Sequence, residues 1–210
     1  MTETTPPAGD TGTSRLGAFS DGVFAIAITL LVLELQVPET GDRSLARALA
    51  HEWPQFAAYL TSFLIIGIMW VNHHSMFRQI TRVDRPLLFL NLFLLLWTAL
   101  LPFPTELIAR YLRAGSADAH VAAAVYSLNL TFAAIAFSLI WGHAVRAGLV
   151  VHDLNSRAQW RSIGRFSVGT LVYAATIGLS FVSAPVTLAV QFLIAAYYAF
   201  EQVGRGTATP

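Results

Sequence analysis

An all-α integral membrane protein with six transmembrane helices is the fold class this sequence predicts, and three observations predict it. Charged residues make up 12% of the 210 positions, about half the roughly 25% of an ordinary globular protein. Hydrophobic residues make up 55%, and the mean hydropathy is +0.58. That apolar content lies in long blocks rather than in amphipathic stripes, the pattern of a chain whose solvent is lipid.

A hydrocarbon core of about 30 Å needs about 20 helical residues, and six stretches meet that length. The first runs from about Leu16 to Val37, closed by Pro38. The second runs from Pro54 to about His74, with its proline suited to a first helical turn. The third runs from Pro86 through Asn91 to Pro102. The fourth covers about Ala119 to Val145. The fifth covers Ile163 to Val182, although Ser167, Thr170, Tyr173, Thr176 and Ser180 thin its apolar content; small and hydroxyl residues of this kind let membrane helices pack closely. The sixth runs from Pro185 to about Gln202, joined to the fifth by little more than Ser183 and Ala184 in a tight hairpin.

Between these blocks no segment is long enough for a separate domain. The loops at 38–53 and 146–162 have room for no more than a short surface helix. Residues 1–14 lack the basic start of a signal peptide and read as a flexible tail, residues 15–203 as one membrane domain, and 204–210 as a second tail. Every basic residue is an arginine. With the amino terminus inside, nine arginines fall on inner segments and four (Arg43, Arg47, Arg110 and Arg113) on outer loops. That bias predicts a multi-pass cell-membrane protein with both termini cytoplasmic.

The composition also narrows function. A net charge of +1 gives no basic field for nucleic acid. The absence of cysteine removes disulfides and thiolate chemistry. His73 and His74 are neighbours that diverge by about 100° on a helix, so they do not easily share a metal, and no His pair lies at i,i+4 spacing with a carboxylate beside it. No Gly-x-Ser-x-Gly turn occurs. Catalytic residues, metal ligands and cofactors are therefore not predicted.

The informative stretch is Arg15 to Asp21. Ionisable groups at the start of a lipid-soluble helix are costly and usually paired or functional. Phe19 is expected to pack inward, with Ser20 and Asp21 seeking polar partners. Trp70, Asn72, His73 and His74 at the end of the second helix, and Asn91 in the third, are the candidates. A cluster of Arg15, Ser20, Asp21, His73 and Asn91 would satisfy groups that a low dielectric penalises. The other reading of the same residues is that Ser20 and Asp21 cap a helix beginning near Gly22.

Arg15-x-x-x-Phe19-Ser20-Asp21, followed by Gly-Val-Phe-Ala-Ile-Ala-Ile-Thr-Leu-Leu-Val-Leu-Glu-Leu, resembles the signature helix of the transmembrane protein 175 family of potassium channels. The resemblance continues through Tyr59-Leu-Thr-Ser-Phe63, Trp70-Val-Asn-His73-His74, Asn91-Leu-Phe-Leu-Leu-Leu and Leu101-Pro102-Phe103, so it covers about the first half of the chain. It implies six helices per repeat and, for a chain with one repeat, a homotetramer whose four first helices line a central pore. Arg15, Phe19, Ser20 and Asp21 would tie that helix to its neighbours, with Trp70, His73 and Asn91 as partners. Ile26, Thr29, Leu30 and Leu33 lie at i, i+3, i+4 and i+7 and would form the pore face, where apolar rings gate by excluding water. Permeant potassium, or other monovalent cations, and the lipid bilayer are the implied partners. An apolar stripe is also what ordinary packing or a lipid-facing surface produces. A non-conducting scaffold or small transporter subunit is the alternative function, and an intramembrane enzyme using His73 and Asp21 a third.

Overall fold

The structure is a computed structural model and describes residues 8–39, 41, 44–113, 117–151 and 169–206. Among these the chain is helical almost throughout. Helix α1 spans Ala8–Leu30 and tightens into a 3-10 turn over Leu31–Glu34. It starts ahead of the predicted Leu16, so residues 8–14 are helix rather than tail. It also stops short of Val37, because Leu35 turns extended and the Gln36 N–H is taken by the Gln55 side-chain oxygen at 3.0 Å.

A short helix α2 follows at Leu45–His51, then α3 at Trp53–Phe77. Helix α4, Arg85–Leu100, opens on an Asp84 cap whose Oδ1 accepts the Leu87 N–H at 2.9 Å. Pro102 does not end this span as predicted. It breaks one hydrogen bond for want of an N–H, and the chain resumes as α5, Pro102–Tyr111. Together α4 and α5 make a single apolar span, Arg85–Tyr111, interrupted at the proline. Helix α6 is Ala117–Arg146, α7 is Gly169–Ser180 and α8 is Ala184–Gly206. The helix α8 thus runs into the segment predicted as a second tail.

Four spans among the described residues are long and apolar enough to cross a membrane: Gly12–Glu34, Trp53–Phe77, Arg85–Tyr111 and Ala117–Arg146. The predicted fifth and sixth spans fall on α7 and α8, whose apolar stretches among the described residues are Gly169–Ser180 and Ala184–Tyr198. The predicted start of the fifth, 163–168, lies outside the described residues.

Helix α1 packs on α3 and α4, α3 on α5 and α8, and both α4 and α5 on α6. Lipid offers no hydrophobic drive between helices, so close contact and hydrogen bonds must hold them. Accordingly α6 buries Ala119, Ala122, Ala123, Ala133, Ala136 and Ala144, small residues that let neighbouring backbones approach. Trp97 of α4 stacks on Phe132 of α6 with centroids 4.4 Å apart. At one end of the bundle the α3–α4 loop and the segment after α6 pair as a short antiparallel bridge. There Thr81 N–H donates to the Leu149 carbonyl at 2.8 Å and Val151 N–H to that of Gln79 at 3.0 Å. Gly148, with φ +64°, makes the reversal that brings the strand back.

Candidate functional site

Helix α1 has two unlike faces. Leu16, Ser20, Phe24, Ala27 and Leu31 are buried at helical spacing against α3 and α4. Ile26 (61% exposed), Thr29, Leu30 and Leu33 (72% exposed) form the opposite stripe. Thr29 donates its hydroxyl proton back to its own helix, with Ala25 and Ile26 carbonyls at 3.0 and 2.9 Å. Its oxygen lone pairs are therefore left on the exposed side.

Ser20 is 0% exposed and sits mid-helix, about three turns past the α1 start, which excludes the helix-cap reading. It is one member of a buried chain of hydrogen bonds. Ser20 donates to the Leu16 carbonyl at 2.9 Å, so its oxygen accepts from Asn91 Nδ2, also at 2.9 Å. That orientation of the amide turns Asn91 Oδ1 to His73 Nε2 at 2.9 Å, and His73 must carry a proton on Nε2 to donate. The His73 ring is held in place by Phe77, stacked at 4.1 Å, and by Phe24 of α1 at 5.4 Å. Ser20, Asn91 and His73, on three helices, thus clasp α1 to α4 and α3 as the sequence anticipates for these three.

The remaining members of the predicted cluster fall elsewhere. Asp21 is exposed and makes no hydrogen bond to Arg15 or His73; it accepts the Trp70 indole N–H at 2.8 Å. Being one residue on from Ser20, it is rotated by about 100°, which carries it out of the buried seam to its rim. Arg15 is exposed and makes no ion pair among the described residues. Phe19 does not pack inward but is 54% exposed. Arg15, Phe19, Ile26 and Leu33 recur at intervals of four and seven residues, so one face holds all of them, and Phe24 fills the inward position instead.

Two further polar groupings were not anticipated. Between α3, α5 and α6, Ser62 bonds Thr105 at 2.7 Å and Tyr126 at 2.8 Å. Between α6, α7 and α8, Gln191 Nε2 donates to Ser127 at 2.8 Å and Thr176 at 3.1 Å. The same rule that singled out Asn91, that a polar side chain in an apolar block needs a partner, points to Ser62, Tyr126 and Gln191. At the looped end, Asp84 Oδ2 lies 2.8 Å from His143 Nε2. Burial opposes it, but the Leu87 N–H and the His143 ring together bring the Asp84 carboxyl below its ordinary value. Among the described residues no three His, Asp or Glu side chains converge as metal ligands.

A family model described as endosomal/lysosomal potassium channel TMEM175 matches residues 15–102, the stretch that contains the α1 stripe and every member of the clasp. A protein of Streptomyces collinus named a potassium channel is 52% identical, with 90% of this chain and 92% of the relative aligned. One of Chamaesiphon minutus, also named a potassium channel, is 40% identical over 90% of this chain and 94% of its own length. The crystal structure of a lysosomal potassium-selective channel TMEM175 homolog from Chamaesiphon minutus matches with a TM-score of 0.82 at 38% identity, covering 91% of this chain and 98% of that one.

Proposed function

The chain belongs to the TMEM175 family, and on that premise we propose that it is a potassium-permeable cation channel in which the α1 helices of four copies surround a central pore. The observation that carries the reading is the division of α1 into a clasped face and an exposed stripe. A helix locked to α3 and α4 through Ser20, Asn91 and His73 presents Ile26, Thr29, Leu30 and Leu33 outward with little freedom to rotate. Around a four-fold axis, Ile26 and Leu33 become apolar rings with Thr29 hydroxyls between them. Such rings block ions by excluding the water that ions need, while the Thr29 lone pairs help to solvate a cation that has shed part of its shell. Selectivity then rests on this helix and on no cofactor, and no covalent chemistry is required.

The chain is a multi-pass membrane protein. In our reading both termini are cytoplasmic, supported by the nine-to-four arginine bias. Residues 15–203 act as the channel domain.

Potassium flux into liposomes, together with the mass of the detergent-solubilised assembly, tests the proposal. A tetramer is expected, with flux raised and potassium–sodium discrimination weakened in Ile26→Asn and Leu33→Asn. A tetramer whose flux and selectivity are untouched by both substitutions would remove α1 from the pore, and a monomer would remove the pore itself. Absence of flux from an intact tetramer would favour a non-conducting scaffold.

A further inference from the structure

The end of the bundle where α3, α4 and α6 meet gathers arginines that the clasp and the exposed α1 stripe do not use. Arg82 donates to the Gly148 carbonyl at 3.3 Å, which anchors it to the end of α6. Arg146 folds back along α6, its Nη1 3.5 Å from where a Cβ on Gly142 would stand. Arg85, in the first turn of α4, lies 6.0 Å from the centroid of the Phe89 ring. The 2.8 Å contact between Asp84 and His143 brings these helix ends together. Arg85 adjoins Asp84 in sequence, and Arg146 follows His143 by one helical turn.

Among the described residues the charges at this corner do not balance. Within 78–85 and 143–151 the sole acid is Asp84, and its two oxygens are engaged by the Leu87 N–H and His143. Arg82, Arg85 and Arg146 are exposed, and none forms an ion pair among the described residues. The amino end of α4 adds the positive end of a helix dipole. Below Arg85, on the same face, Phe89, Leu92 and Leu96 are exposed at successive helical turns. Guanidinium groups bind phosphate oxygens in bidentate fashion, and a file of exposed apolar side chains beneath them accommodates an acyl chain.

We propose that Arg82, Arg85 and Arg146 form a binding site for the phosphate headgroup of an anionic phospholipid, with its acyl chain along Phe89, Leu92 and Leu96. The apolar strip is what selects a lipid over free phosphate. The site needs only that this end of the helices lie at headgroup level, so it stands apart from the conduction reading and from the orientation of the chain.

Purified full-length protein is titrated with phosphatidylglycerol or with phosphatidylcholine, and retained lipid is counted by native mass spectrometry alongside thermal stability. Wild type should retain phosphatidylglycerol in preference and be stabilised by it. Each surface arginine contributes roughly fivefold to such binding, so Arg82→Gln, Arg85→Gln and Arg146→Gln together should weaken it about a hundredfold. Arg47→Gln, on α2 at the other end of the bundle, should not. Arg85→Gln alone, which removes no hydrogen bond among the described residues, should weaken binding about fivefold and carries the test if the triple variant fails to fold. Equal retention of the two lipids, unchanged retention in Arg85→Gln, or full stabilisation by inorganic phosphate would each overturn the proposal. None of these readouts depends on ion flux.

Discussion

Asn91 Nδ2 donates to Ser20 Oγ at 2.9 Å, joining α4 to α1 across 71 positions of sequence. Both residues are completely buried, and the amide's other end is held by His73.

Asn91→Leu strands the Ser20 lone pairs and the His73 N–H together, so it should cost about 1–3 kcal/mol for each group left without a partner. Ser20→Ala strands only the Asn91 amide and should cost less. Because the two residues share one network, the double variant should fall short of the sum. Thermal unfolding in detergent measures all three. Additive losses would show that the bonds act separately rather than as a clasp.

Asp21→Asn should leave stability close to wild type, since an amide oxygen accepts the Trp70 indole N–H as a carboxylate does. Trp70→Phe, which removes the donor, should lose about 1 kcal/mol, and adding Asp21→Ala to it should change little more. A large loss in Asp21→Asn alone would reveal a charge partner for this residue in the assembled protein.

Thr29→Val conserves volume and removes a hydroxyl that, among the described residues, bonds only to its own helix. Folding should therefore survive while conductance or potassium selectivity falls. Ala27→Ser, on the buried face of α1 about 160° from Thr29, should do little to either, since its added hydroxyl can bond back to its own helix. Liposome flux under paired potassium and sodium gradients reads the difference. Equal effects of the two substitutions would argue against a Thr29 ring.

Asp84 stabilises the fold through its ionised form, since its carboxyl lies below the ordinary value of 3.8. Its contribution is complete above that pH and is lost as pH falls through the lower folded-state value. Asp84→Ala removes the α4 cap and the His143 contact, and the cap alone is worth about 1 kcal/mol. The gap in melting temperature between wild type and variant should be full at neutral pH and close only below the ordinary carboxylate value. A gap that closes already between neutral pH and that value would place the titrating group elsewhere.

The apolar blocks were legible because lipid imposes a length and a composition on each spanning helix independently of the rest of the fold. The same constraint identified Ser20, His73 and Asn91, since polar groups at that depth must find partners, and few others were available in the first half of the chain. Applied to Ser62, Tyr126 and Gln191, it would have disclosed the second and third polar groupings as well. What sequence could not assign was direction. Whether Phe19 or Phe24 faces inward, and whether Asp21 meets Arg15 or Trp70, depends on how α1 is rotated against α3 and α4. That rotation was decided by the tertiary structure, because the slot between α3 and α4 accepts the line through Leu16, Ser20, Phe24, Ala27 and Leu31. Once that face is seated, Phe19, Ile26 and Leu33 must point away from it, and Arg82, Arg85 and Arg146 are brought to one corner by a bridge between segments that are distant in sequence.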